Sequence, residues 1–442
     1  MTRTSTTDTA DTADTVIIPS RGRFLRQVGL GATGVALGGA LPAVLAPGHA
    51  RAAVSLAPGA LNVSYWGTVT PKQDLLTVLN GFAKQNGLTV TFNPEPPAYA
   101  DFVQKYTTYL SSGYTGLDAI WTDDFSVAAW GTAGWLEPLE GRIPHASVAA
   151  VPPATVTSST YGGHLYRLTG HLDVVIFFYN KALFAKAGVE PPRTWQDVVR
   201  VGRRLTSGGR YGIGMAGKNG SGLLFNELCY WLGQAGADPL HMKTPGARTA
   251  LQFMYDLINT YKIAPNDTVT ADYTSLQASF LDGRIAMWPV WDGFFGAFQA
   301  VPSFVDKVGV ALPPRGPANN NTISGSWGWS ISKYSPNKDM AAKFIQYATS
   351  PQSEATLALT GSQPGRSALL SDPAVAKVIH QAPYLARYAA ANLPHPRPLA
   401  AQTQRLSDAI ETAINPYLNK QTSLDAAISQ AQANIDRIQG SS

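Results

Sequence analysis

Beyond residue 60 the chain alternates between two apolar periods. In LNVSYWGT, Leu61, Val63 and Tyr65 alternate with polar neighbours, which predicts a strand. Thr70 and Pro71 then supply an N-cap and a first-turn proline, and Leu75, Leu76, Leu79, Phe82 and Ala83 keep helical spacing until Gly87 stops it. Leu88, Val90 and Phe92 alternate as a second strand. A strand, helix and strand of these lengths predict a parallel pair, and therefore an α/β sheet. The same grammar gives a helix from Asp101 to Ser111, a strand from Leu117 to Trp121 and a helix around Phe125 to Trp130. Further on, Thr194 with Asp197 opens a helix carrying Val198, Val199 and Leu205, and YGIGM at Tyr211 reads as a strand. A helix from Tyr273 to Leu281 ends at Gly283, and Ile285 to Val290 is apolar throughout. Ser335-Pro336 and Ser350-Pro351 look like helix starts, and Leu424, Ile428, Ala431, Ile435 and Ile438 form an amphipathic terminal helix.

Upstream of this regular part, Arg21, Arg23 and Arg26 precede an uncharged run, Val28 to Ala46, that exits through Ala50-Arg51-Ala52. Basic residues, an apolar run and a small-residue exit are the parts of a removed export signal, with an uncleaved anchor as the alternative. Five glycines and Pro42 make the run weakly hydrophobic for a membrane span. SRGRFLR resembles a twin-arginine signal, with Gly22 where the second arginine belongs, so the export route stays open between that and general secretion. No cysteine follows the run, so a lipid-anchored lipoprotein is not expected.

Composition narrows the classes. Hydrophobic residues at 45% with 14% charged describe a globular chain, and 442 residues suffice for two lobes. The net charge of +5 is spread without a basic stripe, which argues against nucleic acid. Cys229 is the single cysteine, set in NELCYWLG like a buried helix residue, so no internal disulfide or cysteine metal site forms. The seven histidines lack metal-ligand spacing, no G-x-S-x-G elbow occurs, and no cofactor is expected. GIGMAG at Gly212 fits a dinucleotide pattern, but SGGRY before it reads as a turn where that chemistry needs a buried strand.

Aromatics and carboxylates carry the chemistry that remains. Open parallel sheets bind ligands beyond the carboxyl ends of their strands, where Tyr65, Trp66, Asp123 and Asp124 fall. Trp66, Trp121, Trp231, Trp288, Trp291, Trp327 and Trp329 lie in or beside strand ends and turns. Flat rings with a few directed polar groups suit the apolar faces and polar edges of a sugar. Core packing is the competing use of each ring. Asp118, Asp123, Asp124 and Asp173 have two readings: acceptors for sugar hydroxyls, or the acid and base of a secreted glycan hydrolase using Asp123 or Asp124.

YNKALFAKAGVEPPRTWQDVV, Tyr179 to Val199, resembles the hallmark segment of extracellular solute-binding proteins of the maltose-binding-like family 1, receptors of ABC sugar importers. Leu117–Glu140, Tyr161–Lys181, Phe280–Trp291, Ser326–Glu354 and Thr360–Pro373 agree with it in order. The resemblance implies a two-lobe periplasmic binding protein fold of type II, with three interlobe crossovers near 170, 288 and 325. It divides the chain into an export signal at 1–52, an N-terminal lobe of 53–170 plus 289–325, and a C-terminal lobe of 171–288 plus 326–442. The implied protein is a non-catalytic, monomeric periplasmic receptor that closes on a carbohydrate, or on a polyol or other non-sugar, and delivers it to ABC permease transmembrane subunits. The expected ligand-binding residues are Tyr65, Trp66, Asp123, Asp124, His171, Asp173, Trp231, Trp291, Trp327 and Arg366.

Overall fold

The structure, a computed structural model, describes residues 16–17, 60–65 and 72–440 apart from 94, 97–98, 221, 359–362, 380, 392 and 399–401. The expected export signal at 1–52, apart from Val16 and Ile17, the Thr70-Pro71 helix start and Trp66 lie outside the described residues. Strand β1 is Val16–Ile17; β2, Ala60–Ser64; β3, Thr89–Asn93; β4, Ala119–Asp123; β5, Leu136–Glu137; β6, Thr160–Tyr161; and β7, His164–Leu165. Strand β8 is Leu168–Asn180; β9, Tyr211–Ile213; β10, Ile285–Trp291; β11, Val308–Ala311; β12, Thr322–Ser332; and β13, Pro394–Pro396. β2, β3 and β4 pair in parallel, joined by helices Lys72–Asn86 and Tyr99–Ser111, as the alternating periods predict. Gly87 ends the first of these helices in the left-handed region, φ +62°, where a side chain is costly.

Eleven of the described strands form one continuous sheet, in the order β1-β3-β2-β4-β12-β8-β10-β9, with β11 beside β8 and β5 and β13 beside β12. Continuity comes from two long strands. The first half of β8 pairs with β12, and its second half with β10 and β11. β12 pairs with β13 at its start and with β4 and β5 at its end. In VVIFF of β8, Val175 and Phe177 enter one apolar cluster while Val174, Ile176 and Phe178 enter another. A strand buried on both faces reads as such a run.

Packing sorts the chain into two lobes. One core gathers Leu61 to Leu168 with Trp327 to Leu357; it includes Phe82, Trp121, Trp130, Trp329 and Phe344. The other lobe holds two clusters, one on each face of its sheet, drawn from Val174 to Ile323 and from Leu385 to Ile438. This grouping corrects the expected division. Residues from 326 to 357 complete the first lobe, and residues from 289 to 323 stay with the second. In this grouping the chain passes between lobes in β8 near 170 and in β12 near 325. It does not do so at 288, because among the described residues β10 pairs only with β8 and β9 inside the second lobe. The third passage falls between Leu357, in the first core, and Leu385, in the second.

Two local features mark the crossover strands. Pairing of β12 with β8 slips between Trp327 and Gly328, so Gly170 is an extra residue on β8. A methyl group on Gly328 would fall on the Leu168 carbonyl and within 2.9 Å of Thr169 Cα. Gly328→Ala should therefore cost about 1–3 kcal/mol in urea unfolding, and an unchanged midpoint would show that the strand yields. β13 lies in PHPRP: Thr322 N–H donates to Leu393 O at 2.8 Å, so in this parallel pair His395 and Arg397 turn their backbone toward β12. Pro394, Pro396 and Pro398 take the outer edge, which thereby offers no N–H for another strand.

Candidate functional site

Asp123 ends β4 and caps the helix Asp124–Thr132; its Oδ1 accepts from Ser126 N–H at 2.7 Å, and its Oδ2 accepts from the Tyr99 hydroxyl. Strand-end chemistry thus places two successive carboxylates where sheet and helix meet. Asp124, which is buried, accepts from Arg397 Nη2. Arg397 Nη1 donates to Asn226 Oδ1 at 2.8 Å, and the guanidinium lies 4.0 Å from the Phe125 ring centre and 5.0 Å from that of Trp291. Trp291 Nε1–H donates to the Tyr273 hydroxyl at 3.0 Å, and Asn226 donates to the same hydroxyl at 3.4 Å. Burial raises the Asp124 carboxyl pKa against the pull of Arg397, while for Arg397 the burial that would lower its pKa is outweighed by Asp124 together with Asp123 and Tyr99, so its pKa rises. Gly325 leaves room for the group: a Cβ there would stand 3.0 Å from Arg397 Nη2 and 3.5 Å from both Asp124 Oδ2 and the Trp291 ring.

Gly325 faces Asp173 across the β12–β8 pair, which leads to a second polar cluster at the crossover. His171 Nε2 and Asp173 Oδ1 are 2.8 Å apart. Asp292 Oδ1 accepts from Val174 N–H at 2.8 Å, and the Gln363 amide, oriented by its partners, donates to Asp292 Oδ2 at 2.6 Å and to Leu172 O at 3.3 Å. Burial raises the Asp292 carboxyl well above its usual range, and the Asp173 charge adds to this while His171 opposes it. Burial works against a charged His171, but the charge and hydrogen bond of Asp173, with Asp292 and the Gln363 backbone adding to them, together raise the imidazole pKa.

The expected site residues separate into three groups. Asp123, Asp124, His171, Asp173 and Trp291 lie around the crossover strands, and Trp327 joins them opposite Asp123, its ring 6.1 Å from that of Tyr99. Tyr65 and Trp231 lie elsewhere. Tyr65 packs on Trp121 and Trp329 at 4.9 and 5.8 Å inside the first core. Trp231 is fully buried in the second core against Trp195, and its indole N–H donates to Glu227 Oε2 at 3.3 Å. Arg366 is engaged in the scaffold: its Nε donates to Thr349 O at 2.9 Å and its N–H to Glu354 Oε2 at 2.8 Å. Trp121, Trp288 and Trp329 are core residues as well.

Arg397, Asn226, Tyr273, Tyr99 and Asp292 were not expected from the sequence. Only Asp292 had a local signal, since it directly follows Trp291 in WPVWDG. Asp118 is a buried brace: it accepts from Asn62 N–H at 2.8 Å and from the Ser335 hydroxyl at 2.5 Å. Ser335 is thereby drawn away from capping, and the helix starts at Lys338. Cys229 is buried, and burial pushes its thiol pKa up, so it is inert. The glycines of GIGMAG serve packing, Gly217 lying against Thr268 backbone. Among the described residues no group of His, Cys, Asp and Glu is placed to hold a metal ion, and no helix is long and apolar enough to cross a membrane. A cavity of about 470 Å³ opens beside Arg397, with Tyr230, Asp238, Asn319, Asn321 and His395 in its wall.

Two α/β lobes that share long strands, with carboxylates and aromatic faces gathered where those strands cross, define a solute-binding protein of the maltose-binding-like kind. The chain belongs to the bacterial extracellular solute-binding protein family, whose sequence profile matches residues 67–355. It is 27% identical over 381 residues to a protein of Deinococcus radiodurans named a probable ABC transporter-binding protein, covering 82% of this chain and 89% of that one. Over 260 residues it is 27% identical to the mannitol-binding protein of Pseudomonas aeruginosa, 56% of this chain and 59% of that one. Maltose-bound MalE3 of T. maritima superposes with a TM-score of 0.79 at 25% identity, over 86% of this chain and 99% of the other. The family is one of extracellular solute-binding proteins, and these relatives include a probable ABC transporter-binding protein, a mannitol-binding protein and a maltose-bound protein.

Proposed function

We propose that this protein captures a neutral carbohydrate between its lobes and hands it to an ABC permease, without covalent chemistry. The observation that carries the reading is the cluster of Asp123, Asp124, Asp173, Trp291 and Trp327 at the strands that join the lobes. Carboxylates accept charge-assisted hydrogen bonds from hydroxyls, and indole faces cover the apolar face of a ring. The maltose, mannitol and erythritol/L-threitol named for relatives support a polyhydroxylated ligand and keep a polyol as the second reading. Hydrolysis is disfavoured, since Asp123 and Asp124 are each already held by protein donors. Export with cleavage near Ala52 and a monomeric state belong to the same proposal.

A thermal-shift screen over mono-, di- and oligosaccharides and polyols tests it. A ligand that binds only the folded state at a hundredfold excess over Kd stabilises by about 2.7 kcal/mol. Asp124→Asn and Trp291→Ala should abolish that shift while remaining folded. A full shift in both variants would refute the site, and glycan cleavage lost in Asp123→Ala or Asp124→Ala would replace the receptor reading with the hydrolase.

A further inference from the structure

One helix belongs to both lobes. In Asp124–Thr132, Val127 and Trp130 are packed in the first core, yet Phe125, two turns or less away on the same helix, is buried in the second lobe's cluster, 5.8 Å from the Phe225 ring. Asp124 beside it meets Arg397, which comes from the loop after β13 on the second lobe, 273 residues away in sequence. The guanidinium is thus contacted by Asp124 and Phe125 of the first lobe and by Asn226 and Trp291 of the second.

We infer that Arg397 and Phe125 form a latch that holds the two lobes together before any solute arrives, with Arg397 acting as a positioning residue for Asp124. The inference rests on the two-lobe capture reading. The physical case is one of differential contact: an interaction made across lobes exists only when they are together, so it shifts the population toward closure by its full net free energy. A cation between aromatic faces in a dry setting attracts more strongly than one in water. Its planar fork also serves Asp124 and Asn226 at once, which an ammonium cannot do. Separating the lobes would expose Phe125 and leave Asp124, a buried carboxylate, without its cation. Solute hydroxyls must then compete with Arg397 for Asp124 or bind alongside the pair. A receptor built this way is preorganised and needs little movement on capture.

Small-angle X-ray scattering of the ligand-free full-length protein tests the latch. Wild type should show a radius of gyration near the ~22 Å of a compact chain of this size. Arg397→Gln and Phe125→Ser should each expand it by on the order of 1 Å through hinge opening, with far-UV circular dichroism unchanged. Arg397→Lys, which keeps the charge and loses the fork, should also expand it, and serves if the glutamine variant does not fold. Folded variants that scatter like wild type, or a wild type already expanded without solute, would overturn the latch. No solute enters the experiment, so its failure leaves the thermal-shift reading intact, and an empty ligand screen leaves the latch intact.

Discussion

Replacing Arg167 with methionine should destabilise the protein by about 3–5 kcal/mol, measured as a fall in urea midpoint at constant slope. The side chain is almost wholly buried, at 1% exposure, and every donor is engaged. Nε donates to Ser159 Oγ at 3.0 Å, Nη1 to Ser326 O at 2.7 Å and Thr122 O at 3.3 Å, and Nη2 to Ser326 Oγ at 2.7 Å and Ser158 Oγ at 3.4 Å. These partners lie beside β4, β8 and β12 at the crossover. Methionine matches the stem but leaves buried acceptors unsatisfied, each at about 1–3 kcal/mol. Burial lowers the Arg167 pKa, and the charges of Asp124 and Asp123 oppose that, so the cation also serves the two site carboxylates. Lysine should not rescue, because one ammonium cannot reach this set of acceptors. A loss below about 1 kcal/mol would show that the acceptors re-pair without it.

Glutamine at position 227 should make the protein more stable than wild type at pH 9, and the difference should shrink by about 3–5 kcal/mol on going to pH 4.5. Glu227 is buried beneath Trp231; its carboxylate accepts from Ala216 N–H at 2.9 Å and from the indole at 3.3 Å. Burial is the main cause that pushes its pKa from 4.5 up to about 8, only partly offset by those two donors. Between those values the folded protein holds a proton that the unfolded chain has lost. Stability from this group is therefore full below pH 4.5, falls as pH rises, and is gone above about 8. Glu354, also pushed up to about 8, adds the same trend to both proteins and cancels in the comparison. Parallel stability profiles between pH 4.5 and 9 would mean that Glu227 titrates normally.

Local elements were legible because their signals are local. The Thr194 cap accepts from Asp197 N–H at 3.1 Å as its position implies, the helix Tyr273–Leu281 has the bounds that its pattern suggests, and the strand-end rule placed Asp123 and Asp124 at the crossover. Lobe assignment was not local. An apolar run such as Ile285–Val290 looks the same in a central strand and in a crossing one, and only its partners, Val175–Tyr179 and Tyr211–Ile213, decide between them. Trp231 shows the complementary error: it lies on a helix with Leu224 and Leu228 on its buried side, a spacing that favours core over ligand. Arg397 was invisible, since a single arginine among prolines carries no mark of a carboxylate hundreds of residues upstream.

The interleaving of lobes has a consequence for how the protein is made. Trp329, Phe344 and Leu357 complete a core whose other members lie between Leu61 and Leu168. A growing chain therefore has no finished lobe until residue 357 of 442 has left the ribosome, and the second lobe waits for Ile438. For most of its synthesis the polypeptide is therefore unable to lock into its final shape.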